Sequence, residues 1–299
     1  MRVAVVGLGG VGGYIAASLV RAEVEVVGFA RGAHLEEIQS NGLTIVEDKE
    51  TWNVKIDTRE EDDLDGFFDG YFDFVLFCVK SYDLVEAYNH LRSHIDTHTT
   101  LISFSNGVNN GDTLRELSDA IVLDGCVYIL SHIDIPGMIR KKGSVFAAVF
   151  GGNEKSTLAL KSLFEKANLR VKTPEDIQTA LWKKYIFISA FANLTTYYDA
   201  PIGAIYEHHF DEAKTLLNEI ASVAKAKGIE IEEEIEKSLQ TASKVPYDAS
   251  TSMYLDFKNK KRDELESLSG YIVKEAQKFS LQTPLMQKIY KELLTRHRD

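Results

Sequence analysis

The chain is short of cysteine, proline and positive charge, and the first and last of these shortages exclude whole classes of function. Its 299 residues include two cysteines, Cys78 and Cys126, each inside an apolar run that reads as a strand. They are expected to be buried free thiols, as in a reducing cytoplasm. Lysine and arginine number 34 against 45 acidic residues, a formal charge of −11. That balance argues against non-specific binding to nucleic acid or to an anionic membrane. No apolar run approaches the length of a membrane helix. No basic-then-apolar leader precedes the first strand, so no secretory signal is expected. The eight histidines form no H-E-x-x-H or Cys/His metal spacing, so no metal is expected. The neighbours His208 and His209 read as a solvated turn at a helix start. At 44% hydrophobic and 26% charged, the composition is that of a soluble globular protein with a full core. The length allows one large domain or two ordinary ones.

The N-terminus holds the strongest signal. An apolar run, Arg2 to Gly7, leads into Gly7-Leu8-Gly9-Gly10-Val11-Gly12. A helical pattern follows to Arg21, and a second apolar run, Val24 to Phe29, ends at Ala30-Arg31. Strand, glycine turn, helix and strand is the context in which G-x-G-x-x-G denotes dinucleotide binding. Gly7 permits the tight turn, Gly9 lets the backbone approach a pyrophosphate, and Gly12 lets the helix pack on the strand. The free N–H groups at the helix start face the negative charge. An NAD site usually carries Asp or Glu at the end of the second strand, whereas this chain has Arg31. A guanidinium suits a 2′-phosphate, so NADP(H) is the expected cofactor. The plainer reading of Arg31 is a surface residue at a strand end.

The first half alternates strands and helices. Apolar runs recur at 3–6, 24–29, 74–79, 100–104, 120–130 and 145–150, as a parallel sheet buried on both faces requires. The polar segment 43–63 has room for a short hairpin. Arg140, Lys141 and Lys142 precede the strand 144–150, which reads as an antiparallel excursion closing the sheet. From Thr173-Pro174-Glu175-Asp176 onward the pattern is helical, over 175–197, 207–227, 230–243, 250–261, 262–280 and 284–297. The expected fold class is α/β: a Rossmann-type parallel sheet domain, 1–173, binding NADP, and an all-helical substrate and catalytic domain, 174–299. A cleft between two such domains is the default place for substrate. The long apolar helices of the second half would bury either a homodimer interface or only their own core.

Single residues stand out within this frame. Lys80 ends a buried strand at the sheet edge that faces a cofactor in doubly wound folds; the plainer reading is a snorkelling strand-end lysine. Asn106, in Asn106-Gly107, sits at the same sheet end and reads equally as a turn residue. Lys183 and Lys184 lie in an apolar helix, with Ile188 and Ala192 on roughly the face of Lys184. A lysine on such a face is suited to donate a proton, although either one alone reads as a surface residue. Ser252 and Glu264 flank the basic run Lys258 to Arg262, and taken alone Glu264 reads as a surface partner of Lys260.

Together these elements resemble the ketopantoate reductase family, also called 2-dehydropantoate 2-reductases, over essentially the whole chain. The matching pieces are Gly7–Gly12, Ala30-Arg31, Val79-Lys80, Asn106-Gly107, Leu181-Trp182-Lys183-Lys184, Pro201-Ile202-Gly203, Ser250-Thr251-Ser252-Met253 and Glu264. The resemblance implies a soluble cytoplasmic enzyme that uses NADPH to reduce a 2-oxo acid, ketopantoate, to pantoate on the route to pantothenate and coenzyme A. It implies Lys184 as the general acid, Glu264 on the substrate hydroxyl, and Ser252 at the substrate carboxylate. It places Asn106 beside nicotinamide and substrate, with Arg31 and Lys80 on cofactor phosphate or ribose. One departure stands out. Family members carry asparagines four and eight residues after the lysine, where this chain has Ile188 and Ala192, with Asn193 just off that face. The alternatives are therefore a related reductase for a less polar 2-oxo acid, or an NADP-binding sensor without turnover.

Overall fold

The computed structural model describes residues 1–60 and 70–296. Residues 61–63 of the polar segment and residue 297 of the last helical run lie outside them. The described chain forms two compact units, 1–105 with 109–177, and 106–108 with 178–296.

The first unit contains ten strands and five α-helices among the described residues. In chain order they are β1 (Arg2–Val6), α1 (Gly10–Arg21), β2 (Glu25–Phe29), α2 (Gly32–Asn41), β3 (Leu43–Val46), β4 (Thr51–Val54) and β5 (Asp57–Arg59). There follow β6 (Phe74–Phe77), α3 (Leu84–Leu91), β7 (Thr100–Ser103), α4 (Asn110–Leu117), β8 (Ile121–Ile135), β9 (Met138–Gly151), α5 (Glu154–Lys166) and β10 (Val171–Lys172). The sheet order is β4-β3-β9-β8-β7-β6-β1-β2-β5, with β10 beside β9. From β5 through β2, β1, β6 and β7 to β8 all pairs are parallel. This is the doubly wound order, which reverses between β1 and β6 and opens a crevice there, at the strand C-termini.

Alternating side chains explain why the strands are apolar throughout. Val3 and Val5 join one core with Ile15, Leu19 and Phe164, while Ala4 and Val6 join another with Phe77, Leu84 and Leu114. Both faces of β1 are therefore covered by helices, and a polar residue on either would be buried.

The polar segment forms the expected hairpin, with β3 antiparallel to β4. The basic run falls inside β9 rather than before it. A turn at Pro136-Gly137 joins β8 to β9, and the two strands pair from Ile135↔Met138 back to Asp124↔Gly151. Lys141 is buried there, its Nζ 3.1 Å from Glu47 Oε1 and donating to the Gly143 carbonyl at 2.9 Å.

The second unit is helical: α6 (Ile177–Tyr198, whose first residue belongs to the first unit), α7 (Ile202–His208), α8 (Phe210–Ala226), α9 (Glu233–Lys244), α10 (Ser252–Lys258), a π-helical turn Glu266–Gly270, α11 (Tyr271–Lys278) and α12 (Pro284–Arg296). Three boundaries differ from the sequence reading. First, α6 starts at Ile177 because Val171–Lys172 pairs with β9 and Thr173, before proline, is disfavoured as helix. Second, one helix from 207 is instead two, broken at His209, which leaves helical geometry (φ −132°) with its ring stacked on Tyr198 at 3.5 Å. Third, helix is interrupted after Lys258: Lys260 has φ +53°, and Asp263 Oδ1 accepts from Leu265 N–H at 2.9 Å, restarting the helix there. Among the described residues no helix is long and apolar enough to cross a membrane, and no group of His, Cys, Asp and Glu is placed to hold a metal ion.

A row along α6 fastens the segment that follows Glu264. Tyr185 donates to the Ser267 carbonyl at 2.8 Å, Ser189 to the Leu268 carbonyl at 2.6 Å, and Asn193 Nδ2 to the Leu268 carbonyl at 3.3 Å. Ser269 donates to Asn193 Oδ1. Asn193 is fully buried, so losing its amide strands these partners away from water. Asn193→Ala should lower the unfolding free energy by about 2–3 kcal/mol in urea titration. Asn218→Ala, on the exposed face of α8, should change it by less than about 0.5 kcal/mol.

Candidate active site

The glycine turn sits where β1 ends, beside the loop after β6. Gly7 has φ +89°, and a Cβ there would meet Val79 Cγ1 at 2.9 Å and Val79 N at 3.0 Å. Gly12 is tighter still, because a Cβ would come within 2.1 Å of the Gly7 carbonyl oxygen and 2.7 Å of Cys78 Cβ. Gly10 is held bare by β8, whose Ser131 carbonyl would lie 2.5 Å from its Cβ. Gly9 alone of the four is open, with nothing within 4 Å of its Cβ position. Since the first intrahelical bond runs from Gly13 N–H to the Gly9 carbonyl, the N–H groups of Gly10, Val11 and Gly12 have no helical acceptor. Bare space at Gly9 in front of free helix-start N–H groups fits a pyrophosphate.

Leu8 plays a different part from its neighbours. Its side chain is buried and its N–H donates to the Phe29 carbonyl at 3.1 Å, so it shapes the turn from beneath. At the end of β2, Arg31 is exposed and its guanidinium lies 3.6 Å from Asp83. Lys80 is half-buried and precedes the 3₁₀ turn Ser81–Asp83, with its carbonyl accepting from Asp83 N–H at 2.9 Å. Ser105 steadies the same loop by donating to the Val79 carbonyl at 2.6 Å. Both cysteines are free thiols, as expected, and burial pushes the Cys78 thiol up to about 12, leaving it protonated and inert.

In the second unit, adjacent lysines on α6 part company. Lys183 pairs with Glu233 at 2.8 Å on the surface, and the Lys183 and Lys237 ammonium groups hold the Glu233 carboxyl at about 2. Lys184 is half-buried, and its Nζ donates to Asn106 Oδ1 at 3.2 Å. Asn106 is therefore more than a turn residue, and Asn106–Val108 groups with this unit although the chain on either side belongs to the other. Glu264 is 2% exposed, which excludes a surface pairing, and its carbonyl accepts from Leu268 N–H at 3.0 Å as the π turn begins. Ser252 is exposed at the first position of α10.

The sequence reading missed two contributors here. Thr251 caps α10, accepting from Tyr254 N–H at 3.3 Å, and its hydroxyl lies 2.9 Å from that of Thr195 on α6. A threonine just before a helical run is a capping signal that would have found it. The second is the row Tyr185, Ser189, Asn193, one residue along from Lys184, Ile188 and Ala192. Asn193 donates to the Ser189 carbonyl at 2.8 Å and the Leu268 carbonyl at 3.3 Å and accepts from Ser269, so its amide is bound within α6 and to the turn after Glu264.

A doubly wound sheet with a bare glycine cradle, followed by a helical unit bearing a lysine–asparagine pair, describes an NAD(P)-dependent oxidoreductase. The model of the ketopantoate reductase PanE/ApbA family matches residues 3–153, and that of the family's C-terminal region matches 176–297. The chain belongs to this family. An uncharacterized oxidoreductase, YkpB, of Bacillus subtilis (strain 168) is 30% identical over 98% of both chains. A 2-dehydropantoate 2-reductase from Porphyromonas gingivalis W83 has a solved structure 30% identical to this chain, with TM-score 0.84 over 98% of this chain and 99% of its own. That of a PanE/ApbA family ketopantoate reductase from Ralstonia eutropha JMP134 is 27% identical, with TM-score 0.91 over 100% and 99%.

The different surroundings of Gly9 and Gly12 give a paired test. Gly9→Ala should fold with near wild-type stability, yet weaken nicotinamide dinucleotide binding at least about tenfold in a fluorescence titration, because its methyl enters the phosphate space. Gly12→Ala should fail to fold stably, since the clash is with backbone.

Proposed function

We propose that the protein reduces a 2-oxo acid to the corresponding 2-hydroxy acid with NADPH, and that ketopantoate to pantoate, on the route to pantothenate and coenzyme A, is the leading reaction. The observation that carries this reading is the hydrogen bond from Lys184 to Asn106, which pairs a half-buried ammonium with an amide at the end of β7. Bound nicotinamide supplies the hydride. Lys184 stabilises negative charge growing on the carbonyl oxygen and passes it a proton, so hydride and proton together complete the alcohol. Asn106 orients Lys184 and offers its N–H₂ to the substrate or the nicotinamide amide. Glu264 accepts from the substrate hydroxyl, and Ser252 receives the substrate carboxylate.

On the cofactor side, Gly7 and Gly12 form the turn, while Gly9, Gly10 and Val11 present backbone to the pyrophosphate over the shape set by Leu8. Arg31 takes the 2′-phosphate and Lys80 the neighbouring phosphate or ribose. The Arg31–Asp83 pair is exposed and thus weak, which leaves the guanidinium free to exchange partners. Two cysteines outside any disulfide, Cys126 buried and Cys78 half-buried, support a reducing, cytoplasmic setting.

A second reading concerns the substrate. Ile188 and Ala192 follow Lys184 along its face, Ala192 is 1% exposed, and Asn193 is committed elsewhere. That apolar row supports, as the alternative to ketopantoate, a less polar 2-oxo acid, because a site loses heavily when polar partners of its substrate are absent. NADPH oxidation should be followed with a panel of 2-oxo acids. Lys184→Ala should lower kcat at least about a hundredfold, and Lys183→Ala should leave it within about twofold. NADPH binding without turnover of any oxo acid would favour a sensor. Separately, Arg31→Ala should weaken NADPH binding much more than NADH binding, and equal weakening would remove the 2′-phosphate role.

A further inference from the structure

His34, on the first turn of α2, takes no part in the reading above, yet it touches the glycine turn. Its Nε2 lies 2.9 Å from the Leu8 carbonyl oxygen, and its Nδ1 lies 3.0 Å from the N–H of Gly137, in the turn between β8 and β9. A carbonyl only accepts and a backbone N–H only donates, so the ring must be neutral with its proton on Nε2. Both ends of this bridge are fixed. Leu8 N–H is bound to Phe29, and the Gly137 carbonyl accepts from Thr44 N–H at 2.9 Å. Gly137 has φ +71°, and any Cβ there would meet Glu37 Cγ at 2.4 Å, so the turn packs directly against α2.

We propose that His34 is a positioning residue for the dinucleotide, which aims the Gly9 N–H by holding the Leu8 carbonyl and anchors that peptide to the β8–β9 turn. The argument is the planarity of the peptide. In the trans Leu8–Gly9 bond the carbonyl and the next N–H point in opposite directions. With the carbonyl drawn towards His34, the Gly9 N–H is directed away from α2, at the one glycine of the turn whose Cβ position is open. Without that restraint the peptide can rotate and present its carbonyl oxygen to an incoming phosphate. The proposal rests on the reading that the dinucleotide sits on this turn.

Protonation tests the bridge directly, because an imidazolium has no acceptor for the Gly137 N–H. Desolvation by burial lowers the pKa of His34 below its ordinary value of 6.5, against a smaller opposing effect of the bond to Leu8. The glycine turn, β2 and β3 bring no ionisable group from Gly7–Gly13, Phe29-Ala30 or Thr44. The charged groups on the surrounding elements are Arg31, Glu36 and Glu37 on α2 and its foot, Arg59 in β5, and His132, Asp134 and Arg140 in the hairpin. Asp134 and Glu37 have partners of their own, Arg140 and Asn41. A depressed folded-state value means the neutral ring persists to mildly acidic pH, and the bridge is lost as pH falls through that value.

The experiment is calorimetric titration of NADP⁺ into wild type, His34→Ala and His34→Gln between about pH 5 and 8. It is accompanied by thermal melts, kcat at saturating cofactor and ¹⁵N spectra of histidine-labelled protein. At pH 7.5 His34→Ala should raise Kd roughly fivefold to tenfold, the weight of one buried neutral hydrogen bond, with kcat within about twofold. His34→Gln, whose amide again offers an acceptor and a donor, should restore Kd to within about twofold. Wild-type Kd should rise in acid more steeply than that of His34→Gln, in which only the phosphates and shared groups titrate. The spectra should report the Nε2–H tautomer at pH 7.5. Unchanged Kd in His34→Ala, identical pH profiles, or an Nδ1–H tautomer would each overturn the proposal while leaving the cofactor reading standing. Absence of NADP⁺ and NADPH binding to wild type would overturn both. If His34→Ala does not fold, the comparison of wild type with His34→Gln decides.

Discussion

The cofactor half of the molecule depends on the approach of α1 to the turn from which it springs. The Cβ position of Gly12 lies 2.1 Å from the Gly7 carbonyl oxygen, a separation no side chain survives. Because both residues are glycine, α1 starts directly under the C-terminal ends of β1 and β6, and its first N–H groups emerge into the crevice between them. Gly10 and Gly13 extend the same logic to the other side, where Ser131 and Ile139 of the long hairpin press against the helix. Of the glycines in the turn, the others are needed by the protein's own packing, and Gly9 alone has open space at its Cβ position.

In the helical half the organising element is α6, which carries two adjacent rows with opposite tasks. Tyr185, Ser189 and Asn193 are buried and donate to the Ser267 and Leu268 carbonyls of the π-helical turn. That row determines where the segment beginning at Glu264 runs. Lys184, Ile188 and Ala192 form the neighbouring row, and in it only Lys184 is polar.

Much of this was legible beforehand. The parallel sheet announced itself through near-continuous apolar strands, and the glycine turn through its spacing between strand and helix. Lys184 could be told from Lys183 only by the family resemblance, since both lie on one apolar helix; the structure then sent one to surface glutamates and the other to Asn106. The basic run 140–142, expected to precede a strand, lies inside β9, with Lys141 buried against Glu47. His209 broke a helix that periodicity carried straight through, and the helix expected to reach 261 ended at Lys258 before Lys260, because ring stacking and a positive φ are invisible to a hydrophobic pattern. His34 escaped notice for the same reason. Its value lies in two backbone partners, Leu8 and Gly137, separated by more than a hundred residues of sequence.

A chain with net charge −11 must still hold a polyanion, and its way of doing so explains the modest number of cations near the glycine turn. Oriented N–H groups of a helix start attract phosphate without adding formal charge, and they cost nothing to desolvate beyond what the helix already exposes. On the proposed reading, formal cations are then needed only at the rim, from Arg31 after β2 and Lys80 after β6. Arg31 is 86% exposed and lies 3.6 Å from the half-buried Asp83, and a long pair with one member in water competes weakly with a dianionic phosphate that accepts several hydrogen bonds at once. If Arg31 takes a 2′-phosphate, as proposed, selectivity between the two nicotinamide cofactors rests on one exchange at the rim. The attraction of the oriented N–H groups for phosphate, by contrast, does not depend on the net charge of the molecule.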